Sequence, residues 1–456
     1  LYSLSNMHLP EEILELHRHF ERHGGRVVVV GGAVRDFLLN RNTSKDLDLE
    51  VFGVLPDQLE AVLKGFGKVQ LVGRSFSVWK LKTPAACYDI SLPRQESKCG
   101  PGHRGFEVHP NPNLSFAEAA RRRDFTINSI GFDVHSNTWL DPYDGRQDLQ
   151  RRILQHIGPA FSEDPLRVLR AARLAASLNF DVSDVTLALC RRLNLHELPR
   201  ERVFEELKRL LIEAPAPSVG LEVMRKTNVL TLFPGFRRMV DWDVANETVL
   251  LWPKTLAAVD CMASYARSNG DSHLTMMLAV LCHALGQPHV GKRLASNWVF
   301  PRHTLHGQQA CVTFLQGLAP QRELYQTVPH LVRIQQMPDL LYRWKRSMKQ
   351  GTLHRLALKG SIAQLTRLSH ACHAWANSMQ GHLPAVWLHT EAQKLGVLNY
   401  PPTPFLQGKD LLKLGILPGP QLGQLLHKVF KLQLDGELQD KNQAVKWVQK
   451  TILTCS

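Results

Sequence analysis

Three acids at alternating positions, Asp46, Asp48 and Glu50 in KDLDLEV, follow shortly after the glycine pair Gly31-Gly32. Side chains alternate along a strand, so a strand here puts Asp46, Asp48 and Glu50 on one face and Leu47, Leu49 and Val51 on the other. Like charges at i and i+2 lie only about 7 Å apart and repel unless a cation bridges them. Hard carboxylate oxygens are also the donors that Mg²⁺ takes when it must hold substrate phosphates as well. Asp46 and Asp48 are therefore the candidate metal ligands, and Glu50 is read as a bystander. A DxD pair alone is common, and its plain alternative is a half-buried strand with a polar outer face.

Upstream, Val27 to Val30 runs into Gly31-Gly32 and then a helix starting near Ala33. Glycine permits close backbone approach, and a helix N-terminus offers free N–H groups to a phosphate. Gly32 and Arg35, one turn into that helix, are candidate phosphate contacts. No GxxxxGK[ST] loop occurs. The GPGHRG string at Gly100–Gly105 has neither a strand before it nor a helix after it, so it is set aside as a dinucleotide fingerprint.

The elements that must position these groups divide the chain. Residues 1–150 read as mixed α/β: a helical opening (Glu11 to Glu21), the buried valine run, then alternating segments near Leu47–Phe52, Ser77–Leu81 and Tyr88–Leu92. Pro93 to Ser115 reads as a long mobile loop, rich in Gly, Pro and charge. After about Leu149 helical periodicity takes over, as in RVLRAARLAA and RERVFEELKRLL. EAPAPS (Glu213–Ser218) breaks a helix, and Pro401-Pro402-Thr403-Pro404 opens a last segment.

At about 100–200 residues per domain, 456 residues suggest roughly three domains. With 44% hydrophobic and 21% charged residues, the chain is neither collagen-like nor wholly disordered. No apolar stretch is long enough for a membrane helix; Leu274 to Leu285 is too short. The first twenty residues lack a basic and then apolar leader, so no signal peptide is expected. The eight cysteines are dispersed with no CxxC, which points to a reducing cytoplasm. The net charge of +14 favours a polyanionic partner.

GGAVRD followed by KDLDLEV, then YDISLPRQES, RRRDFTINSIGFD and SEDPLRVLRAARLAA, resembles in order and spacing the class II tRNA nucleotidyltransferase and bacterial poly(A) polymerase family. The resemblance covers residues ~25–235 and implies an α+β fold. It also implies an architecture: a polymerase-beta-like nucleotidyltransferase head over 1–150, with mixed sheet and helices, and then an all-helical remainder. That remainder is a neck over 151–235, a body over 236–400 and a tail over 401–456. The implied chemistry is attack of an RNA 3′-hydroxyl on the α-phosphate of CTP or ATP with two Mg²⁺ ions. The catalytic set would be Asp46, Asp48 and, from a neighbouring strand, Asp89.

By the same resemblance, Arg123, last of the Arg121-Arg122-Arg123 cluster, contacts the nucleotide, while Asp124 and Asn128 orient neighbours and the sugar. In the neck, Asp164, Arg167, Arg170 and Arg173 recur every third position opposite Leu166, Leu169 and Ala172. Asp164 before Pro165 also reads as a helix N-cap. The resemblance makes Asp164 and Arg167 a protein template for cytosine and adenine, which share an exocyclic amine donor beside a ring-nitrogen acceptor. Arg170 and Arg173 would support the nucleotide or its phosphates. Leu198–Glu206 resembles the next motif and is given no chemistry.

LWPKTLAAVD and LTMMLAVLCHALGQP are similar to an HD-type metal domain, but Lys254 and Ala284 replace two ligands, so His283 reads as a packing histidine. His303 and His306 find no partners. The tail, GKDLLKLGILPGPQLGQLLHKVFK, is similar to tail segments of longer family members; the amides opening the helix at Gln421, with Lys428 and Lys431 nearby, are candidate contacts for a tRNA phosphate, and the plain alternative is an ordinary capped helix pair. The implied partner is the tRNA 3′ end. Rival readings are an A-adding or CC-adding specialist, a poly(A) polymerase, and a non-catalytic RNA-binding protein. Gly73-Arg74-Ser75-Phe76-Ser77 lacks a GRRFR-like pattern and leans toward tRNA, and the long Pro93–Pro112 segment argues against a CC-adding specialist.

Overall fold

Four consecutive valines decide the centre of the N-terminal unit. The computed structural model describes residues 7, 9–41, 47–72, 78–98, 106–246, 250–269, 274–294, 297–318, 320–349, 351–375 and 382–453. The chain divides into two units, Leu1–Leu232 and Phe233–Ser456. Helix α1 (Glu11–Glu21) precedes strand β1 (Arg26–Val30), whose four valines are buried on both faces. An unbroken apolar run is what a strand covered on both sides needs.

The remaining head elements follow in order: α2 (Gly32–Leu38), β2 (Leu47–Phe52), α3 (Pro56–Lys64), β3 (Lys68–Val72), β4 (Val78–Lys82), β5 (Cys87–Ser91), β6 (Arg94–Lys98), β7 (Phe106–Pro110), α4 (Phe116–Ala120), β8 (Gly131–Asp133), β9 (Thr138–Leu140) and α5 (Gly145–Arg151). The main sheet has the order β3-β4-β5-β2-β1-β8-β9. Within it β2 and β5 are parallel and the other neighbours antiparallel. The register pairs Val30 with Asp48 and Asp48 with Asp89, so both acids sit beside the β1–α2 glycines.

Two expectations are corrected here. The segment from Pro93 to Ser115 is not a long loop, because β6 and β7 form an antiparallel hairpin from Arg94↔Pro110 to Lys98↔Phe106. A strand therefore does precede the Gly100–Gly105 string, which itself lies outside the described residues. Charged RQESK carries no apolar alternation, which is why the pattern does not reveal a strand.

The neck comprises β10 (Ile153–Leu154), α6 (Arg167–Leu178), β11 (Asp181–Val182), α7 (Asp184–Arg191), α8 (Arg200–Glu213) and α9 (Pro217–Lys226). It is not wholly helical, since β10 and β11 pair in parallel. Helix α6 packs on α8 and α9, and its small residues Ala171, Ala172, Ala175 and Ala176 are buried. Close approach is strict at Gly220 of α9, where a Cβ would meet the Ala172 carbonyl oxygen at 2.5 Å.

The second unit begins with α10 (Pro234–Ala245), α11 (Leu251–Asn269), α12 (Leu274–Cys282) and α13 (Gln287–Val290). A small hairpin follows, β12 (Lys292–Leu294) with β13 (Asn297–Val299), another departure from an all-helical remainder. Then come α14 (His303–Gln316), α15 (Arg322–Ile334), α16 (Met337–Arg343), α17 (Thr352–Ala357), α18 (Ile362–Cys372) and α19 (Leu383–Lys394). The tail helices are α20 (Gly408–Lys413), α21 (Pro420–Leu434) and α22 (Lys441–Leu453), which close on Leu411, Val429, Ala444 and Val448. No described helix is long and apolar enough to cross a membrane.

His283 behaves as a packing residue. It is buried, its Nδ1 lies 2.7 Å from the Val280 carbonyl oxygen, and burial pushes its pKa down to about 4. His303 likewise meets the Phe300 carbonyl oxygen, and His306 stacks on His289.

Candidate active site

A cleft of about 660 Å³ in the first unit gathers the head and neck side chains. Its floor is the β1–α2 turn and the ends of β2 and β5: Gly31, Gly32, Arg35, Asp48 and Asp89. Gly31 has φ +78°, and a Cβ there would stand 2.6 Å from Asp48 Oδ2, so only glycine lets that carboxylate lie against the turn. Asp48 is exposed to the cleft, and Asp89 meets Lys80 Nζ at 3.0 Å. Asp46 lies outside the described residues.

Glu50 is not a bystander. It is fully buried, and its two oxygens accept from Arg122 Nη2 and Arg123 Nη2, each at 2.9 Å. Burial would raise its pKa, but Arg123 and Arg122 outweigh that and hold it below the usual carboxylate range. Arg123 also donates to the Asn128 carbonyl oxygen at 3.0 Å. The alternation that groups Glu50 with Asp46 and Asp48 is correct for a strand, but the sequence does not show that the arginine segment later covers that position.

From Arg35 a polar chain runs into the neck. Arg35 Nη1 donates to Asn128 Oδ1 at 2.9 Å and Nε to Asp36 Oδ1 at 2.9 Å. Asn128 Nδ2 donates to Asp124 Oδ1, and Arg170 grips Asp124 Oδ2 through Nε at 2.8 Å and Nη2 at 2.6 Å. Burial would raise the Asp124 carboxyl, yet Arg170 beside it holds its pKa low, and Asp124 in turn raises that of Arg170. Arg173 donates to Glu206 Oε2 at 2.6 Å. Arg170 and Arg173 are thus held to carboxylates on the cleft wall.

Asp164 and Arg167 are brought to the same cleft. Helix α6 starts only at Arg167, yet Asp164 Oδ1 accepts from Leu166 N at 3.1 Å, so the capping role holds for one oxygen. Asp164 Oδ2 accepts from Arg202 Nη2 at 3.2 Å. Arg167 donates to the main-chain oxygens of Ala160 at 2.8 Å and Arg122 at 2.5 Å, contacts that fix the plane of its guanidinium. Arg202, Glu206 and Arg209 were not legible as site residues, although Arg202 and Arg209 line the cleft. Arg202 Nη1 is buried with no hydrogen-bond acceptor among the described residues. The only sequence signal was the charge density of RERVFEELKR, which is equally that of an exposed helix face.

Residues 27–155 match the poly A polymerase head domain, and 179–239 match the family described as "Probable RNA and SrmB- binding site of polymerase A". The chain is 32% identical over 427 residues to the multifunctional CCA protein of Xanthomonas euvesicatoria pv. vesicatoria (strain 85-10), covering 88% of this chain and 96% of that one. It is 32% identical over 437 residues to the multifunctional CCA protein of Stenotrophomonas maltophilia (strain K279a), covering 88% and 97%. This chain belongs to the class II CCA-adding enzyme family. The CCA-adding fold is matched along its length as well. The Bacillus stearothermophilus CCA-adding enzyme in complex with CTP gives a TM-score of 0.64 at 22% identity, covering 97% of this chain and 98% of that one. The Thermotoga maritima CCA-adding enzyme complexed with tRNA_CCA gives 0.64 at 19% identity, covering 98% and 97%.

Nucleotidyltransferase heads of the CCA-adding family depend on divalent metal. The residues here fit such ions: two hard carboxylates on adjacent parallel strands, one of them lying close against Gly31, whose positive φ strains any side chain placed there.

Proposed function

We propose that this chain builds and repairs the 3′-terminal CCA of tRNA from CTP and ATP, without a nucleic-acid template. The observation that carries this reading is one cleft holding Asp48 and Asp89 together with Asp164 and Arg167. The relatives that match over 88% of this chain and nearly all of their own length are multifunctional CCA proteins, which favours CCA addition over poly(A) synthesis. Among the described residues six cysteines carry free thiols, in keeping with a reducing cytoplasm.

In the reaction the tRNA 3′-hydroxyl oxygen bonds to the α-phosphorus, the α–β bridging bond breaks, and pyrophosphate leaves. Asp48, Asp89 and Asp46 would hold Mg²⁺, which when bound lowers the hydroxyl pKa and neutralises the phosphates. Arg123, with Arg122 beside it, binds the triphosphate, and the buried Glu50 fixes both guanidiniums. Gly32 leaves room for a phosphate, and Arg35 supports it while tied to Asn128. The Asp124–Arg170 and Glu206–Arg173 pairs keep the neck arginines facing the nucleotide.

Base choice falls to Asp164 and Arg167. The carboxylate accepts from the exocyclic amine of cytosine or adenine, and the guanidinium donates to the ring nitrogen. Uracil and guanine present the reverse pattern and would leave polar groups mispaired. Arg202, pairing Asp164 and carrying an orphan donor, positions that carboxylate. The tail helices α20 to α22 bind tRNA, with Lys428 and Lys431 on α21.

The test supplies tRNA ending before CCA, at C and at CC with each nucleoside triphosphate separately. Expected products are C additions on the first two and one A on the third. A long adenylate ladder on unrelated RNA would indicate a poly(A) polymerase, and a product lacking either C or A additions would indicate a specialist.

A further inference from the structure

One stretch of the second unit carries cations and no acid: Tyr342 to Lys349, YRWKRSMK, holds Arg343, Lys345, Arg346 and Lys349. It starts in the last turn of α16 and runs through a 3₁₀ turn over Lys345–Ser347 toward α17. Residues 343–347 are exposed without a break. Tryptophan is highly buried on average, yet Trp344 is 69% exposed. Its backbone is fixed all the same. Trp344 N donates to the Leu340 and Leu341 carbonyl oxygens at 3.3 and 3.2 Å, and its own carbonyl oxygen accepts from Ser347 N at 3.0 Å and Ser347 Oγ at 3.2 Å.

Leu340, one turn back on the same helix face, is also exposed. Trp344, Leu340, Leu341 and Met348 line a groove of about 380 Å³, which Lys349 lines as well. That volume is in the range of small-ligand pockets. Leu341 and Met348 also pack into the core shared by α16 to α19, so the groove stands on a rigid base. Lys345 Nζ lies 3.8 Å over the Tyr342 ring, a cation–π contact that fixes where this ammonium sits. The acids that feel the other cations are engaged elsewhere, Asp339 by His382 and Asp435 by Arg355. Arg355 holds the Asp435 carboxyl below the usual carboxylate range, helped by Lys431 of α21 and by Lys349. The basic surface therefore runs on to the tail helix that carries Lys428 and Lys431.

We propose that this segment is an RNA contact in which Trp344 stacks an unpaired base of the tRNA, while Arg343, Arg346 and Lys349 meet the phosphates beside it. The proposal rests on the reading of this chain as a tRNA enzyme and adds a contact surface in the second unit. Every base has a π-face that an indole ring can cover, and cations alongside track the backbone. A loop base can splay out to stack in this way, whereas a base inside a helix is already stacked. Charge decides against a second copy of this chain as the occupant. A two-fold contact centred on Trp344 would press the four cations of one copy against those of the other.

The experiment measures filter binding of tRNA ending before CCA to the full chain, together with CTP addition. It compares wild type, Trp344→Ala, Trp344→Phe and the double substitution Arg346→Gln with Lys349→Gln. Trp344→Ala is expected to weaken tRNA binding about 10-fold and to raise KM for tRNA to match, the loss of one base–aromatic stack, with KM for CTP unchanged. Trp344→Phe keeps a ring and should restore most of the affinity. The double substitution should flatten the slope of log K against log salt by about 1.5, the loss of two phosphate contacts. Unchanged thermal melting of Trp344→Ala shows that the fold is intact. If wild type adds CMP normally and Trp344→Ala binds tRNA within twofold of it, the surface is overturned and the proposed function stands. A wild type that neither binds nor extends tRNA overturns both. Sedimentation covers the rival occupant: a wild-type dimer that Trp344→Ala turns into monomer, with tRNA affinity unchanged, overturns the RNA assignment in favour of self-association.

Discussion

Asp48→Ala is expected to lower transfer of both CMP and AMP by at least ~10³-fold, the loss of about 4 kcal/mol of transition-state stabilisation. Asp48 is exposed to the cleft and opposite Val30 in the register, so its removal opens no cavity in the sheet core. Stability should change by less than about 0.5 kcal/mol, as for other substitutions away from a packed core. Affinity for tRNA should stay within about twofold, because RNA binding draws chiefly on cationic contacts elsewhere. Asp48→Asn, which keeps the shape against Gly31 but weakens metal ligation, should lose nearly as much. Single-turnover incorporation with filter binding on the same preparations separates the two effects. Unchanged incorporation in Asp48→Ala would remove the carboxylate pair from the chemistry.

Glu50→Ala is expected to destabilise the fold by about 3–5 kcal/mol, the usual cost of breaking a buried ion pair from one side. Glu50 has no solvent exposure, and it holds two guanidiniums at once. Arg123, itself nearly buried, would keep the Asn128 carbonyl but lose its carboxylate contact. Glu50→Gln keeps volume and one acceptor oxygen and should cost less. Because Arg123 and Arg122 line the cleft, surviving folded protein should also show a raised KM for CTP. Urea denaturation reads the first effect and steady-state kinetics the second. A Glu50→Ala protein within about 1 kcal/mol of wild type would show that the pairing contributes little.

The contrast between Asp48 and Glu50 shows what the sequence discloses. Strand alternation groups them on one face, and the register places Asp48 beside Asp89 and the glycine turn, a pairing that the family resemblance implies and alternation alone does not fix. What alternation cannot disclose is which part of a polar face is later covered. The segment after α4 folds over Glu50 and leaves Asp48 open, a tertiary event encoded more than 70 residues downstream. A cue existed: Arg121-Arg122-Arg123 has too many like charges to bury without acids from elsewhere.

The neck is legible as a stripe, because Arg167, Arg170 and Arg173 recur on one side of α6 with Asp164 one step before it at the same spacing. Its partners on α8 were not, since Arg202 and Glu206 sit in a run with ordinary helix-surface composition. The β6–β7 hairpin escaped for a similar reason. Its backbone ladder carries the pairing, and the charged β6 sequence RQESK shows no apolar alternation, although FEVHP of β7 does.

Base selection by protein side chains is tested most directly by the CTP-over-UTP preference in single addition to tRNA ending before CCA. It is measured as the ratio of kcat/KM values for wild type, Asp164→Ala and Arg167→Ala. Wild-type enzyme is expected to prefer CTP by ~10⁴-fold or more, the scale at which a mispaired hydrogen-bonding edge is rejected. Each substitution should reduce that preference to about 10²-fold or below. Wild-type selectivity retained in both variants would contradict the assignment of Asp164 and Arg167 as the template.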